Sequence, residues 1–218
     1  MTAYELLIFD FDGTIADSES VILDTMRYAF ETAGVPVRPD ADVRSRIGLD
    51  LHEMVRVLLG ADAGDPLVDE IKDLYRDKWI AEAHERITLF DGIQALLEAC
   101  LDRGQELTIA TGKSRIGLER SLDAHDLGRY FTAWATPDQV ANGKPAPDMI
   151  ELLLSTRPYD RSRTLVIGDS TLDLEMGHAA QVHTCAVAWG THGEDSLRAA
   201  EPHWFVPTMT DLARLLAE

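Results

Sequence analysis

Asp10 and Asp12 stand two residues apart at the end of the apolar run Leu6 to Phe9, where a strand buried on both faces has no use for charge. Residues two apart in an extended chain point the same way, so both acids are expected to lean into one small space. Two carboxylates about 4 Å apart repel by roughly 4 kcal/mol at an effective dielectric of 20, about three pKa units. Either one of them holds a proton or a divalent cation lies between them, and both states are chemically useful. Gly13 lets the chain turn tightly, Thr14 offers a hydroxyl, and Asp17 or Ser18 could cap the helix that follows.

The other chemically capable residues also end apolar runs. Thr111 and Gly112 follow Glu-Leu-Thr-Ile-Ala, Lys144 lies in a proline-flanked loop after a weaker run at 133–135, and Asp169 ends Thr-Leu-Val-Ile-Gly with Asp173 four residues on. Several acids facing one hydroxyl, one lysine and one helix N-terminus make an odd core but a sensible phosphoryl-transfer site. Mg²⁺ takes oxygen ligands and keeps waters, so Asp10, Asp169 and a backbone carbonyl suffice to hold it. Charge on the phosphoryl oxygens would be met by the metal, Lys144, the Thr111 hydroxyl and the amides near Gly112 and Gly13. Two sharper rivals fail on position. A calcium-binding loop starting at Asp10 needs its glycine and glutamate at Ile15 and Val21, and a nucleotide-binding loop ending in Gly112-Lys113-Ser114 needs its first glycine at Leu107.

These residues need strands whose carboxyl ends share one edge. The spacing predicts a helix over 18–33 from Ile22, Met26 and Phe30, then only helical signals to about residue 84: Asp40 or Asp42, Asp50 with Glu53 as a capping box, and Asp65-Pro66 each open one. Strand and helix then alternate. Asp91 caps a helix ending near Gly104, strand 106–110 follows, and Ser114 caps the next helix; then come a weak strand at 133–135, helix 148–155, strand 164–167, helix 172–180, strand 183–188 and a last helix from about 209. The expected fold is α/β, a Rossmann-like parallel sheet covered on both faces, with an inserted all-helical cap.

The 218 residues suffice for one core plus a small insert, and the 38 acids against 20 bases give a formal charge of -18, which repels nucleic acid and anionic membranes. No run is long enough to span a membrane and no leader opens the chain, so the expected location is cytoplasmic. Cys100 and Cys185 fit no metal or redox spacing and read as small buried hydrophobes, and the seven histidines show no ligand spacing.

The chain resembles phosphatases of the haloacid dehalogenase superfamily, nearest to the phosphoglycolate phosphatase-like branch. The resemblance rests on DFDGTIADS at 10–18, the strand ending in Thr111, GKPAPD at 143–148, VIGDSTLD at 166–173 and AVAWG at 186–190. It implies a core of 1–16 and 85–218 with a helical cap of 17–84. It implies that Asp10 is the nucleophile forming an aspartyl-phosphate and that Asp12 is the general acid and base. Thr111, Gly112, Lys144 and Gly13 would bind the phosphoryl group; Asp10, Asp12 and Asp169 would hold Mg²⁺, with Asp173 supporting the metal shell or Lys144. Ser170 replaces a usual threonine and Gln181 a usual glycine. In the expected cap, Arg44, Arg46 and His52 are possible contacts for an anionic leaving group. No lysine precedes Lys72, which argues against the relatives that form a Schiff base on a cap lysine. The expected substrate is a small phosphorylated metabolite and the expected assembly a monomer or homodimer. A phosphosugar mutase uses the same site, and a phosphoacceptor regulatory protein is the reading from outside enzymology.

Overall fold

The computed structural model describes residues 4–62, 64–83 and 86–217. In chain order its elements are β1 (Leu6–Phe9), β2 (Ala16–Asp17), α1 (Glu19–Thr32), α2 (Asp40–Arg44), α3 (Leu51–Leu59), α4 (Pro66–Lys78) with a π-helical turn at Trp79–Ala83, β3 (Thr88–Leu89), α5 (Ile93–Asp102), β4 (Glu106–Ala110) and α6 (Arg115–Ala124). There follow β5 (Ala133–Ala135), α7 (Asp148–Leu154), β6 (Thr164–Gly168), α8 (Thr171–Ala179), β7 (His183–Val187), α9 (Glu194–Ala199), β8 (Trp204–Val206) and α10 (Met209–Leu216).

Six strands form one parallel sheet in the order β5-β4-β1-β6-β7-β8. β1 is central, and all four of its side chains are fully buried, which is why it is a continuous apolar run rather than an alternating one. Successive residues serve opposite faces. Leu7 and Phe9 join the cluster that includes Leu97 of α5 and Leu212 of α10, whereas Leu6 and Ile8 join Met149, Ile150 and Leu153 of α7 and Met176 of α8. Parallel pairing in register sets the ends of β1, β4 and β6 side by side, with Phe9 opposite both Ile109 and Ile167.

Helices α1 to α4 fill the chain between the short antiparallel pair β2 and β3, where Ala16 faces Leu89 and Asp17 faces Thr88. α1 packs on α4 and α2, and α4 on α3, burying Met26, Phe30, Val55 and Ile71. The expected boundary between residues 84 and 85 lies outside the described residues. Asp50 accepts from Glu53 N at 3.0 Å and Asp65 from Leu67 N at 2.9 Å, so both predicted caps form, although Glu53's own carboxylate goes to Arg56 rather than closing the box. Two expected caps differ. The N-cap of α5 is Gly92, one residue beyond the exposed Asp91, and Ser18 at the start of α1 caps nothing with its buried hydroxyl. The sequence-based strands at 106–110 and 133–135 coincide with β4 and β5, whereas α9 and β8 carried no signal in the sequence. Cys100 and Cys185 are free and fully buried, as expected. Among the described residues no helix is long and apolar enough to cross a membrane.

Candidate active site

The carboxyl ends of β1, β4 and β6 gather the predicted residues at one edge of the sheet. Asp10 follows β1, its N–H donating to Ile167 O at 2.9 Å, and Thr111 follows β4, its N–H donating to Ala135 O at 3.2 Å. Ligand-bearing oxygens of Asp10, Asp169 and Asp173 lie within 4.8 Å of one another, and all three residues are buried. Lys144 Nζ donates to Asp10 Oδ1 at 2.6 Å and lies 2.6 Å from Asp173 Oδ1, with its side chain wholly buried. When all three carboxylates are ionised, one ammonium leaves two negative charges on buried side chains. Burying them unpaired costs several kcal/mol, so the group fits a divalent cation held by Asp10, Asp169 and Asp173.

Proton affinities follow that arrangement. Burial pushes the Asp10 carboxyl well above the usual range against the pull of Lys144, with Asp173 and Asp169 adding to the rise. Burial also lifts Asp169, to about 6, with Asp173 second, while hydrogen bonds from Thr191 and Thr14 oppose the rise. At Lys144 burial works the other way, but Asp10 and Asp173 outweigh it and hold the ammonium above its ordinary value. Asp10 and Lys144 both lean toward keeping a proton. We assign the charge to Lys144, because an ammonium 2.6 Å from two carboxylates is stabilised whichever of them is ionised.

The supports of Asp169 and Asp173 are specific. Asp169 Oδ1 accepts from Thr14 Oγ1 at 2.9 Å, and Oδ2 accepts from both the N–H and the hydroxyl of Thr191 at 2.7 Å. The loop carrying Thr191 is pinned to the first motif by Trp189, whose indole N–H donates to Thr14 O at 3.2 Å. Gly13 has φ +88, and a Cβ there would stand 2.2 Å from Asp169 Oδ2; a Cβ on Gly190 would stand 2.2 Å from Asp169 Cβ. Both glycines make room for one carboxylate. Asp173 Oδ2 accepts from the Ser170 hydroxyl at 2.6 Å, so this acid both caps α8 and supports Lys144.

Asp12 departs from expectation. β1 ends at Phe9, and Asp12 sits in a turn bridged to Ala16, so the period-two rule no longer governs where its side chain goes. Its carboxylate stands outside the trio and pairs with Lys113 at 3.0 Å, while its Oδ1 is buried without a hydrogen-bond partner. Lys113 was not singled out from the sequence. Its being one of only four lysines, directly after Thr111-Gly112, was the available signal. Its Nζ also lies 4.2 Å from the ring centroid of Trp79, which belongs to the π-helical turn after α4. Thr111 Oγ1 accepts from Lys113 N at 3.2 Å, leaving the hydroxyl proton free to donate.

A cavity of about 710 Å³ opens beside these groups, lined by Asp10, Asp12, Thr111, Gly112 and Lys113 on one side and by residues of α3, α4 and the π-helical turn on the other. A Cβ on Gly112 would lie 2.4 Å from Gly48 O, so the helical segment meets the sheet edge backbone to backbone. His52 lines the cavity. Arg46 is not among its lining residues and turns its guanidinium to Ser45, and Arg44 pairs with Glu19 at 2.8 Å.

Residues 7–187 match the family model described as haloacid dehalogenase-like hydrolase. The chain is 31% identical over 211 residues to a protein named probable phosphatase IndB from Dickeya dadantii (strain 3937), covering 95% of this chain and 91% of that one. It is 29% identical to pyrophosphatase PpaX of Listeria monocytogenes serotype 4b (strain CLIP80459), covering 97% and 96% of the two chains. Its fold is similar to the crystal structure of a hydrolase from Pseudomonas syringae, with a TM-score of 0.88 at 21% identity over 98% of each chain.

Proposed function

The chain belongs to the haloacid dehalogenase-like hydrolase family, and from that premise we propose that it is an Mg²⁺-dependent phosphatase of small phosphorylated metabolites. The observation that carries this reading is the buried group of Asp10, Asp169, Asp173 and Lys144 at the edge of a cavity large enough for a substrate. The names of the relatives from Dickeya dadantii and Listeria monocytogenes support it.

In this reading Asp10, Asp169 and Asp173 would hold a cation, whose positive charge would be available to the phosphoryl oxygens. The ionised Asp10 attacks phosphorus in line, forming an aspartyl-phosphate as the ester P–O bond breaks. Asp12 gives a proton to the departing alkoxide, then takes one from the water that hydrolyses the acyl phosphate and frees Asp10 and inorganic phosphate. Lys144 neutralises Asp10 before attack and donates to the transferred group, since an ammonium has three protons to give. The free Thr111 hydroxyl proton and the amides near Gly112 hold the remaining oxygens. The helices between β2 and β3 act as the cap that excludes water.

The test is hydrolysis of p-nitrophenyl phosphate and a metabolite panel with and without EDTA. Turnover that needs Mg²⁺ and is lost in Asp10→Asn is expected; metal-independent turnover, or full activity in that variant, overturns the reading.

A further inference from the structure

Two arginines stand apart from all the others. Among the described residues, every other arginine reaches a protein oxygen, most often a carboxylate. Arg76 and Arg120 make no hydrogen bond or ion pair there, in a chain whose 38 acids exceed its 20 bases. Both line the cavity beside Asp10. They reach it from opposite sides, Arg76 from α4 in the helical segment and Arg120 from α6 on the sheet.

Each arginine has an apolar companion one helical turn away. Ile116 precedes Arg120 by four residues within α6, which puts that pair on one helix face, and Ile80 follows Arg76 by four where α4 passes into the π-helical turn. Ile80 is 43% exposed and Ile116 63%, and both line the cavity. Surfaces of such a kind, apolar with a few convergent charges, mark ligand sites. The volume, about 710 Å³, suits a ligand of drug-like size, whereas the scissile phosphoryl group needs only the end next to Asp10 and Thr111.

Resting on the phosphatase reading above, we propose that the leaving group carries a second anionic group, a carboxylate or a phosphate, which Arg76 and Arg120 clamp from either side of the cavity. An apolar stretch of the same molecule lies between its two anions, against Ile80 and Ile116. Guanidinium groups that make no hydrogen bond or ion pair among the described residues, Arg76 having only the longer-range field of Asp69, are set for bidentate contact with such an anion. They also offset the negative charge of Asp50 and Asp138, which line the same cavity.

The test compares hexyl phosphate with its ω-carboxylate and ω-phosphate analogues, in the wild-type enzyme and in Arg76→Gln, Arg120→Gln and the double variant. The wild type is expected to favour the ω-anionic substrates over hexyl phosphate by about tenfold or more in kcat/KM, chiefly through KM. Each single variant lowers that ratio by about tenfold, and added salt erodes it in the wild type. The two ω-anionic substrates tell which anion is preferred. A ratio near one in the wild type, or an unchanged ratio in the double variant, overturns this inference while p-nitrophenyl phosphate hydrolysis leaves the phosphatase reading standing. No hydrolysis of any phosphoester overturns both.

Discussion

Replacing Gly190 by alanine tests whether Asp169 is held in a fixed place. The new Cβ would lie 2.2 Å from Asp169 Cβ, 2.3 Å from Oδ2 and 2.4 Å from Cγ. Carbon atoms in contact need about 3.5 Å, so either the carboxylate or the loop gives way by roughly 1.3 Å. The loop cannot yield without lengthening the two 2.7 Å bonds from Thr191, its own neighbour, to Oδ2. A displacement near 1 Å at a reacting centre costs about a hundredfold in rate. Gly190→Ala is therefore expected to lose about a hundredfold in kcat/KM on p-nitrophenyl phosphate and to bind Mg²⁺ more weakly by isothermal titration calorimetry. Gly128→Ala, where a Cβ meets nothing within 4 Å, is the control for a glycine without a neighbour. A Gly190→Ala protein that keeps its circular dichroism spectrum and melting temperature, and shows wild-type Mg²⁺ affinity and rate, would refute the reasoning.

Three further outcomes are expected. Asp169 is raised to about 6 from 3.8, so without metal its contribution to stability is complete below the lower value and lost as pH rises through the higher one. A cation competes with that proton, and the rise in melting temperature given by Mg²⁺ is larger at about pH 7.5 than at about pH 5; equal rises at both would count against Asp169 as a ligand. Lys144→Ala leaves Asp10 and Asp173 buried without their shared ammonium and lowers stability by about 3–5 kcal/mol in urea denaturation, and a loss below about 1 kcal/mol would contradict the pairing. Gln181, just after α8, has φ +57, so Gln181→Gly removes a left-handed penalty of about 1–2 kcal/mol at an entropic cost of about 0.5–1, giving a small net gain in urea melts. A destabilised Gln181→Gly would mean that the side chain contributes more than its backbone strain.

The strands β1, β4, β5 and β6 were legible because each is an apolar run with a polar stop, and β7 as a short run after the α8 pattern, signals local to a few residues. β8 is three residues behind Pro202, and α9 buries only Leu197, so neither has a period long enough to read. The order β5-β4-β1-β6-β7-β8 was hidden because pairing between distant segments leaves no mark within either. The site divides the same way. Asp10 and Asp169 were legible as charges ending buried strands, Lys144 from its proline-flanked loop and Asp173 from its place four residues after Asp169, and the structure brings the four together. Asp12 lines the same cavity as Asp10 but stands outside the buried trio, because β1 ends at Phe9 and strand alternation does not reach past its last residue. Thr191 could not be found, since its bond to Asp169 depends on how the loop after β7 folds back.

The bond from Thr14 to Asp169 joins residues 155 positions apart, and Thr191 lies further still along the chain. A polypeptide growing from the ribosome therefore presents its first carboxylate long before the last of its companions has been synthesised. Until β6 docks beside β1, Asp10 lacks both its carboxylate neighbour Asp169 and the strand that accepts its amide proton. On the phosphatase reading, reactivity therefore waits for the segments carrying Asp169 and Thr191.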